Sequence, residues 1–204
     1  MVCIKEFLNV VETRTSIRRF RPEPIPDEAI KRILWSATRA PTAGGRENWF
    51  FVVIKSDEMR TKIHKLLIDS HIKYAREIAR MPQERIEKWR KLMEGGMYFA
   101  PLYIAVYIDT SKLTATGEVS AFNAEFIMEI QSVAAAIENA ILTSWCFGVG
   151  SVWLGAPLLL EEEFRKLLDL PQEYKLMGII ALGYPQETPS PRRRRPLEEV
   201  FKVI

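Results

Sequence analysis

The chain has few of the residues that hold small proteins together covalently or bind metals. Its 204 residues include two cysteines, Cys3 and Cys146, too few for a disulfide framework, which points to a reducing compartment. There are two histidines, His64 and His71, in one charged helical segment. Two imidazoles without a third ligand rarely hold a metal, so no metal site is expected and both rings are expected at the surface. No stretch approaches the roughly 18 uncharged apolar residues of a membrane span. The longest candidate, 132–147, is interrupted by Glu138 and Asn139. Lys5 and Glu6 break the first apolar run, which argues against a secretory signal. The net charge of +3 gives no global basic field for nucleic acid. These absences together predict a cytoplasmic protein with neither a nucleic-acid nor a membrane partner.

What is present is a core. With 48% hydrophobic residues the chain can fill one domain, taken as 1–204. Ile4, Phe7, Leu8 and Val11 recur at helical spacing over 4–13. A second helix follows Pro26, with Asp27 and Glu28 at the positive end of its dipole, and ends before Pro41. "WFFVVIK" (49–55) reads as a buried strand, and Ser56 caps a helix running to about 68. Residues 69–99 are helical, charged and aromatic. "LYIAVYID" (102–109) is a second strand, 119–147 the longest helix, and "VGSVWLG" a third strand. Glu161 to Glu163 open a short helix, and "KLMGIIALGYP" is the fourth strand. The tail that follows is rich in proline and arginine and ends in "PLEEVFKVI", whose apolar residues have nothing local to pack against.

Several familiar motifs fail. The glycines of "GVGSVWLG" stand at 148, 150 and 155, which is not the G-x-G-x-x-G spacing, and they enter a strand rather than opening a helix. There is no phosphate-binding P-loop, and no Ser-His-acid set suggests itself. Donors are concentrated instead in "ETRTSIRRF" (12–20) and in "RRRR" (192–195). Arg14, Ser16 and Arg18 alternate, so an extended segment would project all three to one side. Guanidinium groups make forked, charge-assisted bonds to phosphate, and a serine hydroxyl adds a donor. The cluster is either an anion site or a solvated loop. "APTAGGREN" (40–48) is either an ordinary tight turn or one whose small residues let backbone approach a flat ligand.

Taken in order, R-x-S-x-R-x-F near the start, "RAPTAGGRENWFFVV", "IENAIL" in the long helix, "GVGSVWLGAP" and "GIIALGYP…RRRRPLEEV" resemble the FMN-dependent nitroreductase family, from about residue 4 to 204. The resemblance implies an α+β fold: a central, mostly antiparallel sheet flanked by helices, with the C-terminal segment extending onto a dimer partner and a variable helical cap at about 69–99. It implies a homodimer with FMN at the interface, NADH or NADPH as electron donor, and ping-pong reduction of small-molecule acceptors such as nitroaromatics or quinones. Relatives of the same fold dehalogenate, dehydrogenate or break down flavin, and a flavin-binding protein without turnover is a further alternative.

By the same resemblance, Arg14, Thr15 and Ser16 bind the FMN phosphate and ribityl chain, Arg18 the polar edge of the ring, and Arg192 and Arg194 the phosphate again. Leu154, Gly155 and Ala156 offer backbone to the ring. Pro41, Thr42, Ala43 and Glu47 come from the partner subunit. No catalytic side chain is implied. Tyr74, Trp89, Met93, Tyr98 and Phe99 are candidates to stack on substrate, although most are expected in the core; the cap and the loop at 110–120 match the family's variable region. The chain departs from the family pattern at Gly45, where asparagine is common, at Glu47, where glutamine is common, and at Asn48, where proline is common. A carboxylate in place of an amide accepts hydrogen bonds but donates none, which puts the substrate in question.

Overall fold

A computed structural model describes residues 4–114, 119–187 and 189–204. In chain order, α1 (Ile4–Thr13) and α2 (Asp27–Ala37) precede β1 (Trp49–Ile54). Then come α3 (Asp57–Glu77), α4 (Gln83–Glu94), β2 (Leu102–Asp109), α5 (Val119–Cys146), β3 (Gly150–Leu154), α6 (Glu161–Leu167) and β4 (Tyr174–Gly183). The four strands form one antiparallel sheet in the order β1-β2-β4-β3, an α+β arrangement as expected.

Alternation along the central strands builds two cores. Tyr103, Ala105 and Tyr107 of β2, with Ile179 and Ala181 of β4, face Ile63, Leu67 and Ala75 of α3 and Ile86 and Met93 of α4. The intervening Leu102, Ile104, Val106 and Ile108, with Ile180 and Leu182, face Ile30 and Ile33 of α2 and Val133, Ile137 and Ile141 of α5. Side chains of a strand alternate between faces, so a continuous apolar run is what a strand covered on both sides requires. Leu102 to Ile108 are buried throughout for that reason.

β1 departs from expectation. It is an edge strand, half-buried rather than buried, and Phe50 points outward against Tyr174 with ring centroids 4.8 Å apart. α3 also runs beyond 68 to Glu77, because Leu67, Ile72 and Ala75 continue its inner stripe; Ser56 accepts from the Met59 N–H as the expected cap. α5 is long and apolar enough, by length and composition, to cross a membrane. Its inner face packs on α2 and the sheet, and it buries Glu125 and Glu129 within the chain.

Those two carboxylates anchor the turn before β1. Arg46 Nε meets Glu129 at 2.8 Å and its Nη2 meets Glu125 at 3.2 Å, while Thr114 donates its N–H and hydroxyl to Glu125. A buried carboxylate is retained only when paired, so Arg46 ties 43–48 to α5. Asn48, at one of the family departures, is buried with neither amide atom hydrogen-bonded among the described residues, and nothing in the structure explains it.

Candidate functional site

The donor-rich segment is extended and pinned. Ser16 bridges to Ser151 of β3, the Ile17 N–H donates to the Ser151 carbonyl at 3.0 Å, and Phe20 bridges to Pro185. Gly150 makes this contact possible, since a β-carbon there would meet Ile17 Cγ1 at 2.5 Å. Glu187 Oε1 accepts from the backbone N–H groups of Arg18 and Arg19, at 2.8 and 3.3 Å, which holds the segment against the chain leaving β4. Of the segment's guanidinium groups, Arg18 Nη1 bonds the Ser16 carbonyl at 3.1 Å and Arg18 also meets the Tyr98 hydroxyl, while Arg19 bonds the Gly95 carbonyl.

A cavity of about 650 Å³ opens between this segment, α1, α5 and the tail. Arg14, Thr15, Ser16 and Arg18 line it from one end of the chain and Arg192 and Arg194 from the other. Four guanidinium groups face two carboxylates, Glu12 and Glu138, so the hollow is net positive. Arg14, Ser16 and Arg18 share this side as the alternation predicts and Ile17 turns into the core, but Thr15, which alternation would send the other way, lines the cavity too. Arg193 and Arg195 do not line it.

Ser16 and Arg18 also line a second cavity, of about 680 Å³, that is otherwise aromatic and apolar. Its walls include Trp153, Leu154, Gly155 and Ala156 from the end of β3 and the turn after it, and His71, Tyr74, Trp89 and Tyr98 from the helical region. A β-carbon on Gly155 would meet nothing within 4 Å, so its backbone faces open space. Trp153 is 42% exposed and serves as a wall of the cavity rather than as core.

Of the other stacking candidates, Met93 is fully buried, and Phe99 packs beside His64 and Arg60, away from the cavity. The expectation that both histidines lie at the surface is overturned. His71 is buried and His64 half-buried, because α3 repeats Ile63, Leu67 and His71 along its inner face. That spacing of four was the available signal. Burial lowers the pKa of both rings below the ordinary histidine value, against the opposing pull of a backbone hydrogen bond on each. Burial raises that of Tyr98, whose hydroxyl has the Arg18 guanidinium beside it pulling the other way.

Pro41, Thr42 and Ala43 line a third hollow of about 360 Å³ with Met128, Gln131 and Ser132 of α5, apart from the first two. Ser132 Oγ accepts from the Ala43 N–H at 3.0 Å. Glu47 lines none of the three; it stands at φ 52 with its N–H donated to Thr42 Oγ1. Within the chain, therefore, Ser16 and Arg18 bring the two arginine clusters beside the 154–156 turn, and 41–47 lie elsewhere. Part of the 110–120 loop, residues 115–118, lies outside the described residues.

A basic recess and an aromatic slot with Ser16 and Arg18 in both walls suit a planar ring that carries an anionic arm. The antiparallel sheet and its helical layers are those of a nitroreductase-like α+β fold, and the chain belongs to the nitroreductase family, whose model matches residues 11–184. It is 29% identical over 175 residues to a 5,6-dimethylbenzimidazole synthase of Rhodospirillum rubrum, covering 85% of this chain and 79% of that protein. It is 28% identical over 209 residues to an NADH dehydrogenase of Thermus thermophilus, covering 92% and 90%. Among solved structures, a BluB-like flavoprotein from Clostridium difficile superposes with a TM-score of 0.77 at 25% identity, covering 97% of this chain and 98% of the other.

Proposed function

We propose that the chain is a single-domain, FMN-dependent oxidoreductase that uses NADH or NADPH to reduce nitroaromatic, quinone or related acceptors. The observation that carries this reading is the cavity lined together by Arg14, Arg18, Arg192 and Arg194, which shares Ser16 and Arg18 with the aromatic slot. Charge-assisted bonds from forked guanidinium groups are what a terminal phosphate takes, and the hydroxyls of Thr15 and Ser16 suit a polyol chain. Bound FMN supplies the hydride and electron transfer, while the protein supplies position and electrostatics.

In this reading Arg18, shared by both cavities, places positive charge at the polar edge of the ring and so stabilises negative charge that accumulates there on reduction. Leu154, Gly155 and Ala156 present backbone across open space to the ring face. Trp153, Trp89 and Tyr98 exclude water from the slot. One slot serves the nicotinamide and then the acceptor, which gives ping-pong kinetics. Pro41, Thr42, Ala43 and Glu47 reach the site only from a second copy of the chain, so the working unit is a homodimer. Two cysteines, of which Cys146 is free and exposed, suit a reducing cytoplasm.

The similarity to a 5,6-dimethylbenzimidazole synthase and to a BluB-like flavoprotein favours a second reading, in which the same FMN site performs other chemistry on the ring system it holds. Reconstitution with FMN, followed by NADH and NADPH oxidation against a panel of nitroaromatics and quinones, separates the two. Turnover with parallel double-reciprocal lines is the expected result. Flavin binding with pyridine-nucleotide oxidation but no acceptor reduction favours the second reading. Flavin binding without any turnover identifies a binding protein, and failure to bind FMN overturns both.

A further inference from the structure

His71 is the buried polar group in the aromatic cavity that the proposed function does not use. Its Nδ1 lies 2.7 Å from the Leu67 carbonyl, one helical turn back on α3. A carbonyl oxygen only accepts, so Nδ1 carries the proton, and in the neutral ring Nε2 is left with a lone pair. Burial favours that neutral ring. Nε2 has no protein partner among the described residues, and it is not one of the sealed-off polar atoms of the core. The ring itself lines the cavity, so this free lone pair belongs to its wall.

The ring is also held in orientation. It stacks on Tyr98, with centroids 5.0 Å apart and planes at 26°, and meets Trp89 edge-on at 5.4 Å and 88°. Tyr98 itself stands at φ 70, its N–H donated to the Arg18 carbonyl at 2.8 Å and its carbonyl accepting from Tyr103 Oη at 2.7 Å. A bulky residue in the left-handed region persists only where its surroundings over-determine it, and such residues gather at functional sites. Among the described residues Arg18 is the one charged residue lining the cavity, and it can only donate. Beside the hydroxyls of Ser16, Tyr74 and Tyr98, the slot thus offers a donor of fixed charge in Arg18 and a ring acceptor in His71.

We propose that His71 Nε2 accepts a hydrogen bond from an N–H or O–H group on the flat ring bound in this cavity, and so reads which ring, or which orientation of it, is held. The inference rests on the flavin reading above. The shared chemistry is a ring-borne donor, which has two sources: the imide N–H of FMN, or the hydroxyl of a phenolic acceptor.

Two matched pairs test it. The apo-chain is titrated with FMN and with FMN methylated at its imide nitrogen. The FMN-loaded chain and the apo-chain are each titrated with 3-nitrophenol and 3-nitroanisole, followed by tryptophan fluorescence. In one pair the donor-bearing member should bind about three- to tenfold more tightly, the scale of one net hydrogen bond. His71→Phe keeps a flat ring between Trp89 and Tyr98 without the acceptor, and should abolish that difference, whereas a purely steric effect of the methyl group would survive it. His71→Leu is the second acceptor-free variant if phenylalanine prevents folding. A preference confined to the imide pair assigns His71 to the cofactor, and one confined to the phenol pair assigns it to the acceptor. Equal binding within both pairs, or a difference that persists in the variants, overturns the proposal. Absence of any FMN binding overturns the proposed function instead, and the phenol pair on the apo-chain still reads His71.

Discussion

Trp153 lies over Gly178 of the neighbouring strand so closely that a β-carbon at position 178 would stand 2.3 Å from Trp153 Nε1. The indole N–H donates to the Met177 carbonyl at 3.3 Å, and Gly178 stands at φ 138, beside the register shift between Val106 and Tyr107. The bulge and the missing side chain together let a large ring lie flat on the sheet and form one wall of the aromatic cavity. Gly178→Ala should both strain the backbone and push the indole out, costing about 1–3 kcal/mol. Urea unfolding and a shift in tryptophan emission check this, and an unchanged midpoint with unchanged emission would contradict it.

Arg14→Ala and Arg194→Ala should each weaken FMN binding. Hydrogen bonds to charged groups contribute about 1.5–3 kcal/mol, so each loss should lower affinity roughly tenfold or more. Arg193 and Arg195, which do not line the cavity, should tolerate alanine better. Flavin fluorescence titration of the four variants gives the comparison, and equal losses at all four would point to a diffuse charged tail.

Removal of the chain beyond Pro189 should lower both dimer stability and FMN content. Leu197, Val200, Phe201, Val203 and Ile204 are all exposed in the single chain, as are Ile4, Phe7 and Leu8 of α1. Exposed apolar side chains in this number suit an interaction face, and each contributes about 1.5–3 kcal/mol when fully buried. The same segment carries Arg192 and Arg194, so docking of the tail would also complete the proposed phosphate recess. Sedimentation velocity and flavin absorbance of the truncated chain are the measurements, and a truncated chain that stays a yellow dimer would refute the coupling.

Acid should destabilise the fold through its histidines. His64 and His71 have folded-state pKa values below the ordinary one because burial disfavours the charged ring. The unfolded chain then binds more protons between the lowered values and about 6.5, so stability is retained above about 6.5 and falls as pH drops below it. The thermal midpoint should decline between about pH 7 and 5.5, and that slope should flatten in a His64→Gln, His71→Gln double variant. An equal slope in both proteins would assign the acid sensitivity to other groups.

The local elements were legible in the sequence because their signals lie within consecutive residues. β2 and α1 start and stop where periodicity placed them, and the helix-capping role of Ser56 follows from the same local chemistry. The spacing of Arg14, Ser16 and Arg18 also anticipated their common side, although Thr15 between them joins it. The tertiary structure decided what depends on neighbours distant in the chain. β1 is half-buried because it closes the edge of a sheet, which no feature of "WFFVVI" expresses. Arg192 and Arg194 reach Arg14 because β4 returns beside β3 and Glu187 fastens the departing chain to the Arg18 backbone. His71 is the sharpest case. Its charged local setting suggested solvent, but the inner stripe of α3 packs against the sheet and α4, and that packing turns the ring into a fixed acceptor in the cavity. Periodicity is carried by the covalent chain, whereas burial and the meeting of remote side chains arise only when the layers pack.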